Sequence, residues 1–183
     1  MRRIPLSAAG ERRAVEQADE KIAHCQRHGA RHWGDRQYSP EQDRAQQIAG
    51  NRAEIGVCEM YDLPWLPQLG RTDVIDCGNI IEVRARIVPG RGTDLGWHPP
   101  NANHVGDNPS VPWLLVHAHD GGAGALWAIG WLWGYEAAAR ARLVSPIWGV
   151  HYIAPPYHDI AALDGLVATL REAERDPAPP APR

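Results

Sequence analysis

The clearest rhythm in the chain lies at Ile80–Ile87, where Ile81, Val83, Ala85 and Ile87 alternate with Glu82, Arg84 and Arg86. A period of two predicts a strand with one apolar face and one charged face. Just before it, Thr72–Cys77 is β-branched and carries Asp73 and Asp76. Gly78-Asn79 between the two segments has the chemistry of a tight turn, so a hairpin is expected.

Helical spacing appears twice upstream. Glu11–His28 places Ala14, Ala18, Ile22 and Cys25 on one side. Ser39-Pro40-Glu41-Gln42 reads as a helix start, with Ser39 as cap, Pro40 in the first turn and Gln42 closing a capping box. That second helix should run to about Tyr61, with Ala45, Ile48, Ala49, Ala53 and Val57 forming a small-residue face that packs on a sheet. The Pro-rich connector Leu63–Leu69 stops it.

Downstream, Val88–Pro112 is rich in Gly, Pro and Asn and reads as a long loop. Trp113–His117 is a buried-strand run, and Asp120-Gly121-Gly122 turns the chain into a partner strand, Ala125–Leu132. A short Ala-rich helix follows at Tyr135–Arg142, then a strand at Ile147–Ile153. A final amphipathic helix at Asp159–Glu174 uses Ile160, Leu163, Leu166, Val167 and Leu170. Residues 1–10 read as a flexible arm and 176–183, rich in Pro and Ala, as a disordered tail. Between them, 11–175 is expected to be one α/β domain, its core at about 40–155, with a mixed central sheet flanked by helices.

Composition adds exclusions. A chain of 183 residues suits a single core, and a net charge of −3 means that nucleic-acid binding would need a local basic patch. Lys21 is the only lysine against a large arginine excess. Cys25, Cys58 and Cys77 lie far apart without metal-ligand spacing, as three reduced thiols of an intracellular protein would. No apolar run of signal-peptide length follows Met1-Arg2-Arg3, and Ala123–Trp133 is too short to span a bilayer. A soluble cytoplasmic protein without membrane contact is therefore expected.

Three sets of residues could carry chemistry. His24, His28 and His32 recur every fourth residue, although Gly29 interrupts the run and no acid or Cys stands at a familiar offset, and His117-Ala118-His119-Asp120 places two imidazoles on one strand face near a turn; either set could be read as zinc ligands. Glu54 sits among the small residues of the packing helix, where a carboxylate must be paired or metal-bound. Its ordinary partners would be Arg52 or Arg44. Asp76, Glu82 and Arg84 form the third set: either a surface ion-pair ladder or a site for a divalent cation beside a phosphate.

The order Gly50-x-x-x-Glu54 on a helix, then Asp76, then Glu82-Val83-Arg84 on the next strand, resembles the PD-(D/E)XK nuclease superfamily, in particular its small members carried by phages and prophages. The resemblance spans roughly Pro40–Pro155. It implies a restriction-endonuclease-like core and a metal-dependent nuclease that hydrolyses phosphodiester bonds, with DNA as the expected partner. It also implies Mg²⁺ or Mn²⁺ held by Asp76 and Glu82, with Glu54 as the helical carboxylate. Arg84 stands where the family motif has Lys. Asp73 is an alternative to Asp76; three positions apart in a regular strand, the two would face opposite sides. Because Arg stays protonated, the departure at Arg84 leaves open a catalytically degenerate module that binds nucleic acid or a protein. Small nuclease domains often work as dimers, so a homodimer accords with the resemblance, although no stretch marks an interface.

Overall fold

The computed structural model describes residues 1–28, 39–67, 75–87, 95–97, 108–145, 150–153 and 157–175. Their architecture is mixed α/β. The central sheet has four strands, β1 (Arg2–Ile4), β2 (Glu82–Ile87), β4 (Pro112–Ala118) and β5 (Leu126–Trp133), in the order β1-β5-β4-β2. β4 runs antiparallel to β5 and parallel to β2, and β1 is antiparallel to β5. β3 (Leu95–Trp97), β6 (Arg142–Ser145) and β7 (Val150–Ile153) form a second, three-stranded sheet. The helices are α1 (Ala8–His28), α2 (Pro40–Tyr61), α3 (Gly134–Arg140) and α4 (Ile160–Arg175). None of the described helices is long and apolar enough to cross a membrane.

Local chemistry accounts for the elements that position the site. The Ser39 hydroxyl accepts from the Gln42 backbone N–H while the Gln42 side chain accepts from Ser39 N–H, so the expected capping box starts α2. Asp62, in the left-handed region, ends the helix. Gly78 and Asn79 both have positive φ, at 57° and 58°, and Ile80 N–H donates to Cys77 O. That is the geometry of a type I′ turn, which Gly-Asn favours.

The two faces of the sheet have separate cores. Val83, Leu114, Val116, Leu126, Ala128 and Trp131 face one way, toward α2 and toward Ile160, Leu163 and Val167 of α4. Trp113, Leu115 and Leu132 face the other way and pack with Ala137 of α3. Leucine-sized side chains buried in this manner contribute about 1.5–3 kcal/mol each relative to exposure.

Several segments differ from the reading of the sequence. Residues 1–10, expected as a loose arm, carry β1 and the first turn of α1. Ile4 is 3% exposed and seals the sheet edge above Gly56. Ser7 caps α1 through its hydroxyl, which accepts from Gly10 N–H, and Glu59 of α2 holds Ser7 in turn. The expected strand Thr72–Cys77 lies partly outside the described residues. Where it is described, Asp76 is in a turn and Cys77 makes only isolated bridges to Trp65 and Ile81. The expected loop Val88–Pro112 contains β3, and the strand expected at Ile147–Ile153 supplies β7 to the second sheet instead of the central one. Arg142, expected in the short helix, begins β6.

Candidate functional site

Four segments converge where β2 begins. Glu82 opens the strand and lies beside Trp113 of β4 in the parallel register. The turn before it places Asp76 under the strand: the carboxylate accepts from Val83 N–H at 2.8 Å and is 2% exposed. Glu54 comes from the middle of α2, and its carboxylate accepts the Trp65 indole N–H at 3.0 Å. Arg84, two residues after Glu82, bonds back to it, with Nη1 2.7 Å from Oε1. The Glu82 and Arg84 side chains are 12% and 28% exposed, so the pair opens toward solvent on its Arg side. The guanidinium lies 4.5 Å over the Trp113 ring, a cation–π contact that restrains its direction.

The electrostatics tie these groups into one cluster. Burial raises the Asp76 carboxyl well above the usual range, and the neighbouring Glu54 raises it further; Arg84, the Val83 N–H and Lys21 oppose the shift. Burial likewise raises Glu54. The Trp65 bond, Lys21 and Arg84 lower it, and Glu82 adds repulsion. Two buried carboxyls therefore hold their protons more tightly than exposed ones, and Arg84 and Lys21 are cations that act on both.

The partners that would have made Glu54 an ordinary surface acid are engaged elsewhere. Arg52 makes a two-pronged pair with Glu11 of α1 at 2.7 Å, and also donates to the carbonyls of Gly122 and Gly124. Arg44 pairs with Asp19 at 2.6 Å. Of the four residues singled out from the sequence, Arg84 pairs with Glu82, and Glu54 lies near enough to Asp76, Glu82 and Arg84 to feel their charge, but the three acids do not form a common metal-binding group. Asp73 lies outside the described residues. Three contributors were not legible: Trp65, Trp113 and Lys21. A Trp within a Pro-rich connector has no chemical signature of its own, and the sole lysine of an Arg-rich chain was the one available hint.

The histidine sets are only partly described. His32 and the side chain of His28 lie outside the described residues, and His24 is half-buried on α1. The His117 imidazole loses proton affinity through burial and through the neighbouring His119 and Arg86. Among the described residues no group of three or more His, Cys, Asp or Glu is close enough to hold a metal ion. The acid cluster nevertheless offers only oxygen donors, which suits a hard cation such as Mg²⁺ or Mn²⁺. Burial is the main cause of its elevated proton affinities, and Arg84 and Lys21 oppose it.

Beyond Glu82 the same face of the sheet turns basic. Register aligns Arg86 with His117, His117 with Trp127, and Trp127 with Arg3, a row that crosses all four strands. Comparison of the chain with protein-family models, with curated proteins and with solved structures found no match. The site's own geometry is therefore the ground for its interpretation.

Proposed function

We propose that this chain is a metal-dependent nuclease of the PD-(D/E)XK type with a restriction-endonuclease-like core, hydrolysing phosphodiester bonds in DNA. The observation that carries the reading is the convergence of Glu54, Asp76, Glu82 and Arg84, from a helix, a turn and a strand, at the margin of a basic sheet face. Asp76 and Glu82 would hold Mg²⁺ or Mn²⁺ with Glu54 beside them, and the ion would supply a water of lowered pKa and neutralise phosphate charge. Glu82 would be available as a ligand once Arg84 released it. Arg84 would then turn its guanidinium to a phosphate oxygen, the fork geometry for which arginine is suited. Arginine cannot accept a proton, so of the four groups only the carboxylates can. Arg86, His117, Trp127 and Arg3 would carry the flanking strand by backbone charge and stacking.

The test is incubation of supercoiled and linear DNA with Mg²⁺ or Mn²⁺, comparing the native chain with Asp76→Ala and Glu82→Ala. Cutting by the native chain that both variants lose supports the reading. No cutting, or equal cutting by the variants, removes it.

One observation favours a second reading. Arg84 closes directly on Glu82, so the protein's own guanidinium occupies the place a cation would take at that carboxylate. A chain kept in that state would be a nucleic-acid or protein-binding module on the same scaffold. Calorimetry with Mn²⁺ alone separates the two: binding that disappears in Glu82→Ala supports the enzyme, and no binding supports the module.

A further inference from the structure

Cys58 and Cys77, nineteen positions apart in sequence, meet in the core. Their sulfurs are 2.6 Å apart and both residues are buried. That separation is well inside the contact distance of unbonded sulfurs and roughly half an ångström longer than a disulfide bond of about 2.05 Å. The backbone holds each side in place. Cys58 lies in the last turns of α2, and its sulfur is 3.9 Å from the carbonyls of Pro64 and Asp76. Cys77 is held by bridges to Trp65 and Ile81, and its sulfur is 3.4 Å from the Glu54 carbonyl. Cys25, on α1, is the third cysteine of the chain.

We propose that Cys58 and Cys77 are a modification site: a vicinal thiol pair in space that a small peroxide converts to an intramolecular disulfide. In the first step one sulfur attacks hydrogen peroxide, the O–O bond breaks, and a sulfenic acid and water form. In the second, the other thiol attacks that sulfur, the S–S bond forms, and a second water leaves. The peroxide is reduced by two electrons and the thiol pair is oxidised by two. A small oxidant is required because neither sulfur is open to solvent, and a bulky disulfide has no room to form the mixed intermediate. The bond joins α2, one turn past Glu54, to the residue that follows Asp76. The inference stands on the sulfur geometry and does not depend on the nuclease reading.

The experiment counts thiols in the full chain. Native protein is treated with a few equivalents of hydrogen peroxide, quenched, unfolded in iodoacetamide, and weighed intact before peptide mapping. The expected product takes up a single carbamidomethyl group, at Cys25, and yields a peptide pair linked through Cys58 and Cys77 that dithiothreitol separates. Cys25→Ser, which leaves the buried pair untouched, should take up none. Uptake of three groups by the native chain, a link through Cys25, or sulfinic acid at Cys58 or Cys77 without a cross-link would each overturn the proposal.

Discussion

Replacing Asp76 with Asn keeps the shape of the side chain and an oxygen for the Val83 N–H, now 2.8 Å from the carboxylate, while removing the charge. Burial and Glu54 raise the native carboxyl's pKa, whereas in the unfolded chain it titrates near 3.9. The folded state thus binds more protons than the unfolded state between those two values. Stability falls as pH rises through that window and levels off above the folded pKa. Each unit of elevation costs about 1.4 kcal/mol once the group is ionised. In a domain of this size that corresponds to roughly 3–6 °C in Tm. Thermal melts of metal-free protein between pH 4 and pH 8 should therefore show the two proteins close together at acid pH. Asp76→Asn should become progressively the more stable as pH rises. Added Mn²⁺ should reverse the order, because a cation that binds the native acid stabilises only the charged form. A gap that is constant across the range, or a variant less stable at every pH without metal, would refute the assignment of Asp76 as a buried, proton-retaining acid.

Two further outcomes follow from the geometry. Arg52→Met removes a buried guanidinium that joins Glu11 to the carbonyls of Gly122 and Gly124. Glu11 is half-exposed, so the cost comes mainly from the carbonyls left without a donor; urea unfolding should show a loss of about 1–3 kcal/mol, and an unchanged midpoint would mean that these bonds contribute nothing. Arg84→Lys shortens the reach to Glu82 and gives up the planar stack on Trp113. With a group able to lose its proton at that position, plasmid cleavage in Mn²⁺ should match or exceed that of the native chain, and a complete loss would assign Arg84 a role that depends on its fork.

What could be read in advance was what neighbours in sequence decide. Ser39 and Gln42 cap one another across three residues, Gly78-Asn79 makes its turn from its own φ preferences, and the alternation from Ile81 to Ile87 fixes which face of β2 is apolar. The same alternation put Glu82 and Arg84 on one side and made the site visible. Pairings settled by distant chain were hidden. Nothing in Glu82–Ile87 says that its partner is Pro112–Ala118 in parallel, because that register depends on a connection of more than twenty residues. Arg2–Ile4 has one apolar residue, too few for a periodic signal, yet Ile4 completes the sheet edge. Cys58 and Cys77 were read as separate thiols because spacing along the chain carries no information on which thiols α2 and the turn bring together.

Among the described residues, two indoles touch the cluster directly: Trp65 donates to Glu54, and Trp113 lies beneath Arg84. An indole's emission responds to charge at a few ångströms, through the field acting on its excited state. A proton leaving Glu54, or an ion that draws Arg84 away from Glu82, therefore changes the light the unlabelled chain emits. The molecule has an optical gauge built beside its acids, and a Trp65→Phe and Trp113→Phe pair would show which of the two groups a given titration moves.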